Sequence, residues 1–134
     1  YQGYEEAYRK GKRKLNQDLV YTDLSSKAMV EKAVEELKKS GVECILCQDD
    51  YICDEAVRKL SHMGVRIPDQ MKVASCHYSR ILENYPVTVT SLKFNITELG
   101  RRSCQVLLDM IHGKTVPDKT LLDYEIILKE STKG

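Results

Sequence analysis

The sequence predicts an α/β fold in which a parallel sheet is flanked by helices. The first observation is the order of apolar patterns, because short apolar runs typical of strands alternate with segments that have helical spacing. The second is the composition of the 134 residues, of which 42% are hydrophobic and 31% charged, as in ordinary globular domains. Strands that alternate with helices need crossover connections, which are typical of parallel sheets. The length suits one domain with one core.

Helical spacing marks four segments of the chain. They are residues 1–14, the segment from Ser25 or Ser26 to Gly41, the segment from Asp49 or Asp50 to Met63, and the segment Asn95–His112. Serine, aspartate and asparagine are favoured at a helix start because their side chains accept hydrogen bonds from the first-turn amides. Asn95 and Glu98 have the spacing of a capping box. Each of the last three helices ends at or beside a glycine, which favours the left-handed backbone found after a helix.

Short apolar runs mark five predicted strands. They are Asp18–Asp23, Val42–Cys47, Lys72–Cys76, Val87–Leu92 and Leu121–Leu128. The second run is mostly apolar, as in a buried strand, and the fourth alternates between apolar and polar residues. Pro68 and Pro86 lie in the connections before the third and fourth strands, where they interrupt regular structure.

Charge and cysteine usage limit the classes of function. The formal net charge is +1, so this segment is not expected to hold DNA, and the basic run Arg9–Lys14 fits a solvated helix end better than a DNA-binding patch. Five cysteines without framework spacing favour a reducing compartment, and we expect the cytoplasm. The chain starts at Tyr1 within a helical pattern, which predicts a fragment of a longer protein. No apolar run approaches the roughly 20 residues of a membrane helix.

Patterns for catalysis and metal binding are weak. Cys44 and Cys47 match the C-x-x-C spacing of redox and zinc sites, but residues three apart in a strand point to opposite faces. No phosphate-binding loop, nucleophile elbow or zinc-binding helix motif is present. The sequence therefore predicts no enzyme, no cofactor and no metal. A small α/β enzyme that uses His77 with Asp49 is kept as an alternative.

Polar and aromatic residues follow the predicted strands along one rim of the sheet. They are Asp23, Asp49 with Asp50, His77 and Phe94. Ligands of open parallel sheets bind beyond the carboxyl ends of the strands, and these side chains suit a small polar ligand. The alternative for the two neighbouring aspartates is helix capping alone, and the alternative for the phenylalanine is core packing.

Four segments follow, in order, the motifs of a known protein family. Ile45–Leu60 (ILCQDDYICDEAVRKL) resembles the pattern f-c-a-N-D-x-M-A-x-G-A-l-r-A-L, and Gly64–Val73 (GVRIPDQMKV) resembles G-l-r-V-P-x-D-v-s-V. Thr90–Lys93, with the Leu-Gly pair at 99–100, is similar to T-T-v-r … L-G, and Lys129–Thr132 is similar to x-R-x-S-T. The patterns are those of the lactose-repressor/galactose-repressor (LacI/GalR) family of transcriptional regulators, which the chain resembles over essentially its whole length.

This resemblance implies one lobe of a periplasmic-binding-protein-like (type I) fold, in the effector-sensing domain of a LacI-type transcriptional regulator. Residues 1–93 would form the C-terminal lobe, residues 94–119 would cross to the N-terminal lobe, and residues 120–134 would return as a strand and tail. The hinge crossings would lie near Leu92–Asn95 and Lys114–Lys119. The resemblance also implies a homodimer, a small-molecule effector (a sugar or another polar metabolite), operator DNA bound through an N-terminal domain, and no membrane partner.

The resemblance assigns roles to the residues of the rim. Asp49 stands where the family commonly has a sugar-binding asparagine, and His77 where it has an aspartate that accepts hydrogen bonds from sugar hydroxyls. Phe94 replaces a frequent glutamine, and Asp23 replaces an aromatic ring that stacks on the ligand. These four positions all depart from the family's residue types. Asp50 keeps the family's aspartate, which mainly caps the helix.

Two further positions match the family's subunit contact. They are Asp54, on the third predicted helix, and Tyr85, in the loop before the fourth strand. The alternative is that both side chains are merely exposed. For the whole protein, the alternative function is a periplasmic-type sugar- or solute-binding protein of the same fold.

Overall fold

A computed structural model describes residues 1–133, which contain four α-helices and four strands. The helices are α1 (Gln2–Lys10), α2 (Lys27–Lys39), α3 (Asp50–His62) and α4 (Ile96–Ile111). The strands are β1 (Cys44–Cys47), β2 (Lys72–Ser75), β3 (Thr90–Phe94) and β4 (Tyr124–Ile127). Three short 3₁₀ helices lie at Gln17–Leu19, Arg80–Glu83 and Glu130–Thr132.

The four strands form one sheet in the order β1-β2-β3-β4. The first three are parallel, as predicted, with Ile45 opposite Val73 and Ala74 opposite Thr90. The last strand, β4, runs antiparallel to β3, with Phe94 opposite Tyr124. The reason is that α4 does not cross over the sheet. The chain leaves β3 at its carboxyl end and enters β4 at that same end.

The core lies between one face of the sheet and the helices α2 and α3. In β1, Ile45 and Cys47 are buried while the residues between and before them are exposed, so only one face of this strand is covered. Leu60 of α3 and Val73 of β2 are fully buried in the same cluster, as is Val30 of α2 at 1% exposure. Removal of this apolar surface from water is the main source of stability.

Side chains at the helix starts fix where α2 and α3 begin. The Ser26 hydroxyl accepts a hydrogen bond from the Met29 amide, and the Asp49 carboxylate accepts one from the Ile52 amide at 2.8 Å. The structure therefore selects Ser26 rather than Ser25, and Asp49 rather than Asp50, from the two predicted pairs. Such caps satisfy donors that have no partner inside the helix.

The predicted strand Asp18–Asp23 is wrong. The Asn16 side chain accepts a hydrogen bond from the Asp18 amide and starts a 3₁₀ turn, and the extended residues after it pair with no strand of the described sheet. Asp23 has a positive φ of 57°, which ends the extended stretch. The first helix is also shorter than the predicted 1–14, because the chain turns at Gly11 and Lys12 takes a φ of 53°.

The C-terminal tail explains why β3 begins at Thr90 and not at Val87. The Glu130 carboxylate accepts from the Thr88 amide at 2.9 Å, and the Ser131 hydroxyl accepts from the Thr90 amide at 2.9 Å. The same hydroxyl donates to the Val73 carbonyl at 2.6 Å, so it bridges β2 and β3 where they separate. The tail thus takes backbone groups that a longer strand would have used.

Helix α4 has the predicted start but lacks a covered face. The Asn95 side chain accepts from the Glu98 amide, as expected for the capping box, yet none of the residues of α4 is buried. Most of its large apolar side chains are exposed, with Ile96 at 69% and Ile111 at 68%. Within residues 1–133, no helix is long and apolar enough to span a bilayer.

Candidate functional site

The carboxyl ends of the three parallel strands meet at one edge of the sheet. Asp49 and Asp50 follow β1, His77 follows β2, and Phe94 is the last residue of β3. Neighbouring strands lie about 4.8 Å apart, so residues at this edge are within reach of one small molecule. Three of the four predicted rim residues, namely Asp49, His77 and Phe94, are therefore brought to one edge.

His77 pairs with Asp50, a contact that the capping expectation missed. Its Nδ1 atom lies 3.7 Å from Asp50 Oδ1, and its side chain is 47% exposed. Asp49 is the N-cap of α3, and Asp50 Oδ1 accepts a hydrogen bond from the Tyr51 amide at 3.1 Å while it also faces His77. The Ser79 hydroxyl, more than the nearby imidazole, lowers the pKa of the Asp50 carboxyl and keeps it ionised at neutral pH. The position of both residues just after adjacent parallel strands was the signal that could have revealed the pair.

The loop that carries His77 is held by the side chain of Ser75. The Ser75 hydroxyl, buried at the end of β2, accepts from the His77 amide at 3.1 Å and donates to the His77 carbonyl at 2.9 Å. These bonds form a tight turn directly after the strand. The imidazole is thus presented to solvent beside Asp50 from a fixed backbone.

Phe94 is not a core residue, so the core-packing alternative does not hold. Its ring is 40% exposed and lies opposite Tyr124, which is 64% exposed, at the edge where β3 and β4 meet. Exposed aromatic faces of this kind can stack on the apolar face of a sugar ring.

Asp23 is separate from the other three predicted residues. It is exposed and lines a cavity of about 800 Å³ between α1, the segment that precedes α2, and β1. Gln48 and Cys76, which directly precede Asp49 and His77, line the same cavity, whereas Asp49, His77 and Phe94 do not. Asp23 thus faces a space that adjoins the strand edge.

The cysteines are arranged as the strand geometry predicts. Cys44 is exposed and Cys47 is buried, so the two sulfur atoms of the C-x-x-C pattern lie on opposite faces of β1. Contact with the buried Cys53 thiol and burial itself raise the pKa of Cys47 well above its usual value, which keeps it a thiol. In the part of the chain that the structure describes, no group of three His, Cys, Asp or Glu residues is arranged to hold a metal ion.

Asp54 and Tyr85 contact each other instead of being merely exposed. The Tyr85 hydroxyl donates to the Asp54 carboxylate, and the Arg58 guanidinium donates to the same carboxylate at 2.9 Å. Arg58 also lies 5.7 Å from the centre of the Tyr85 ring. Both Asp54 and Tyr85 are half-buried, and they connect α3 to the loop before β3.

The sheet and its flanking helices define an α/β lobe. Comparison with known proteins gives the family of this lobe. The sequence pattern of the periplasmic binding protein-like domain matches residues 1–132. The chain belongs to this family, which confirms the periplasmic-binding-protein-like fold that the resemblance implied.

Individual relatives agree with this assignment. The HTH-type transcriptional regulator CelR of Thermobifida fusca is 27% identical over 133 residues, which is 97% of this chain and 39% of CelR. The structure of a CelR–cellobiose complex has a TM-score of 0.84 at 26% identity and covers 97% of this chain and 41% of that one. The transcription regulator CcpA of Lactococcus lactis has a TM-score of 0.87 at 23% identity over 98% of this chain and 49% of that one, which shows the common fold. The chain thus spans less than half the length of these relatives.

Proposed function

We propose that this chain is part of the effector-sensing domain of a LacI-type transcriptional regulator and that it binds a small polar metabolite, a sugar or a related compound. The observation that carries the proposal is the set of polar and aromatic groups at the shared ends of β1, β2 and β3. Membership of the family and the likeness to CelR support it. We assign Asp49 and His77 to hydrogen bonds with ligand hydroxyls, Phe94 to stacking, and Asp23 to the rim of the site.

The proposal divides the chain between two lobes. Residues 1–93 and 120–134 belong to one lobe, and residues 94–119 cross to a second lobe. The antiparallel pairing of Phe94 with Tyr124 supports this division, because both crossings then lie side by side at the edge that carries His77. The uncovered apolar face of α4 also supports it, since a second lobe would bury that face.

The mechanism is a shift between two lobe angles. A ligand that bridges the lobes favours the closed arrangement only if it binds that arrangement more tightly than the open one. In a homodimer, the angle sets the spacing of two DNA-reading domains on an operator. We propose that Asp54 and Tyr85 lie at the dimer contact, and that the protein acts in the cytoplasm without catalysing a reaction.

Isothermal titration calorimetry on the full-length protein tests the ligand site. Cellobiose is the first probe, because CelR forms a complex with it, and glucose and glucose 6-phosphate extend the range of size and charge. We expect one of these probes to bind, and we expect His77→Ala and Phe94→Ala each to weaken it at least tenfold. His62→Ala, which changes an exposed histidine in the last turn of α3, is the matched control.

Equal affinities in wild type and both site variants would refute the assignment of the site. A gel-shift assay with operators selected from random DNA then tests the regulator itself. We expect the bound probe to change the operator affinity. A protein that binds the probe but selects no DNA would instead be a solute-binding protein of the same fold.

A further inference from the structure

Tyr78, the residue after His77, lies in a cluster that joins four parts of the fold. The cluster consists of Tyr78, Glu83, Lys93 and Lys129. The Tyr78 hydroxyl donates to Glu83 Oε1 at 2.9 Å, and the Lys129 ammonium donates to the same oxygen at 3.1 Å. Lys129 Nζ lies 5.1 Å and Lys93 Nζ 5.7 Å from the centre of the Tyr78 ring. Both distances are within the range of cation–π attraction.

The charged groups of the cluster stabilise one another and hold the Tyr78 side chain. The Tyr78 hydroxyl and then the Lys129 ammonium lower the pKa of the Glu83 carboxyl, so this group is ionised at neutral pH. Lys129 is only 14% exposed, and a partly desolvated ammonium gains more from an aromatic face and a carboxylate than an exposed one does. The Tyr78 side chain is therefore held by two ammonium groups near its ring and by one carboxylate at its hydroxyl.

Two of the four residues lie beside the points where the proposed crossings meet the sheet, and the other two lie in the segment after β2. Lys93 precedes Phe94, where the chain leaves β3, and Lys129 follows β4, where the chain has returned. Tyr78 is bonded through one peptide unit to His77, whose amide and carbonyl are held by Ser75. Consecutive Cα atoms are fixed about 3.8 Å apart. Ser75 therefore restricts the backbone of His77 from the residues before it, and an immobile Tyr78 restricts it from the residue after it.

We propose that Tyr78 is a positioning residue that fixes the His77 loop to β3 and to the segment after β4 through Lys93, Lys129 and Glu83. The part played by His77 in ligand binding rests on the proposed function, whereas the fixing of the loop does not. Ligand contact with His77 is then mechanically connected, through one aromatic ring, to the positions of β3 and of the segment after β4. Loss of the cations or of the ring frees the loop without disrupting the core.

Hydrogen–deuterium exchange of the full-length protein, followed by mass spectrometry, tests the fixing of the loop. We expect amides of the segment 75–79 to exchange several-fold faster in Tyr78→Leu and in Lys129→Met than in wild type. Tyr78→Phe keeps the aromatic face and should restore most of the protection. Lys119→Met, which removes an exposed lysine from the connection before β4, is the matched control.

Peptides from α3 and β1 serve as the internal standard, because a merely structural role would accelerate their exchange as well. Unchanged exchange of 75–79 in both Tyr78→Leu and Lys129→Met would overturn the proposal, and so would equal acceleration of the whole core. A calorimetric arm with cellobiose then asks whether Tyr78→Leu weakens binding at least fivefold while Tyr78→Phe does not. If no probe binds the wild type, the proposed function fails, but the exchange result still decides the role of Tyr78.

Discussion

At the scale of single residues, small polar side chains attach the C-terminal tail to the sheet. The hydroxyl of Ser131 is completely buried. It accepts a hydrogen bond from the Thr90 amide and donates one to the Val73 carbonyl, so it connects β3 to β2 through a side chain. Thr90 in turn accepts from the Lys129 amide at 2.8 Å. The end of the chain is therefore bonded into the middle of the sheet by side-chain oxygen atoms.

Replacement of Ser131 by alanine should destabilise the protein by about 1–3 kcal/mol, because it leaves a buried carbonyl and a buried amide without their partner. The measurement is the midpoint of urea unfolding. Ser103→Ala, which changes an exposed serine on α4, is the control and should alter the free energy of unfolding by less than about 0.5 kcal/mol. Similar midpoints for the two variants would show that the bridge adds no stability.

At the scale of elements, local sequence fixes the starts of helices well and the lengths of strands poorly. The caps at Ser26, Asp49 and Asn95 all act within their own first turn, so residue types predicted Asn95 and narrowed each of the other two to a pair of neighbours. The failed strand Asp18–Asp23 and the late start of β3 both depend on partners far along the chain. A strand exists only where a neighbour accepts its backbone groups, and apolar runs do not specify the neighbour.

The first turn of α4 should respond to acid through Glu98. Hydrogen bonds from Arg101 and then Arg102 lower the pKa of Glu98 from 4.5 to about 2. A depressed folded-state pKa stabilises the folded form above the unfolded value, and this stabilisation is lost as the pH falls from 4.5 towards 2. The protection of the α4 amides, measured relative to the intrinsic exchange rate at each pH, should therefore fall over this range, and Glu98→Gln should remove that pH dependence. Glu5→Gln on α1 is the control, and an α4 that stays equally protected at pH 2 would contradict the assignment.

At the scale of the whole molecule, many of the exposed large apolar side chains of the described residues lie on α4 and around β4. Leu107 and Ile111, one turn apart on α4, are 58% and 68% exposed, and Ile126 and Leu128 at and after β4 are 58% and 68% exposed. Apolar patches of this kind are normally covered by another part of a protein or by another chain.

Expressed as these 134 residues, the chain should associate in a concentration-dependent way. Sedimentation velocity should show an average mass that rises with concentration. The double variant Leu107→Lys with Ile111→Lys should shift the chain towards the monomer, because charged side chains are costly to bury. Thr97→Lys with Ser103→Lys adds the same charge to polar positions of α4 and should change association less. A clean monomer for the unchanged chain would show that the patch stays solvated.

Part of the candidate site was predictable from the sequence, because it depends on the order of the strands. Asp49, His77 and Phe94 follow strands whose apolar runs were evident, and parallel strands end at a common edge, so their grouping followed from strand order. The pairing of Asp50 with His77, the contact of Asp54 with Tyr85 and the cluster around Tyr78 did not, since each joins residues from different elements.

The sequence by itself determined the alternation of helices and strands, the helix caps, the family and most of the strand edge. These features depend on the order and spacing of residues, which the chain carries with it wherever it folds. Only the tertiary structure decided the antiparallel return of β4, the loss of the first strand and the partners of His77 and Tyr78. Those outcomes depend on contacts between distant segments, and the strength of such contacts is set by burial and geometry that exist only once the chain has folded.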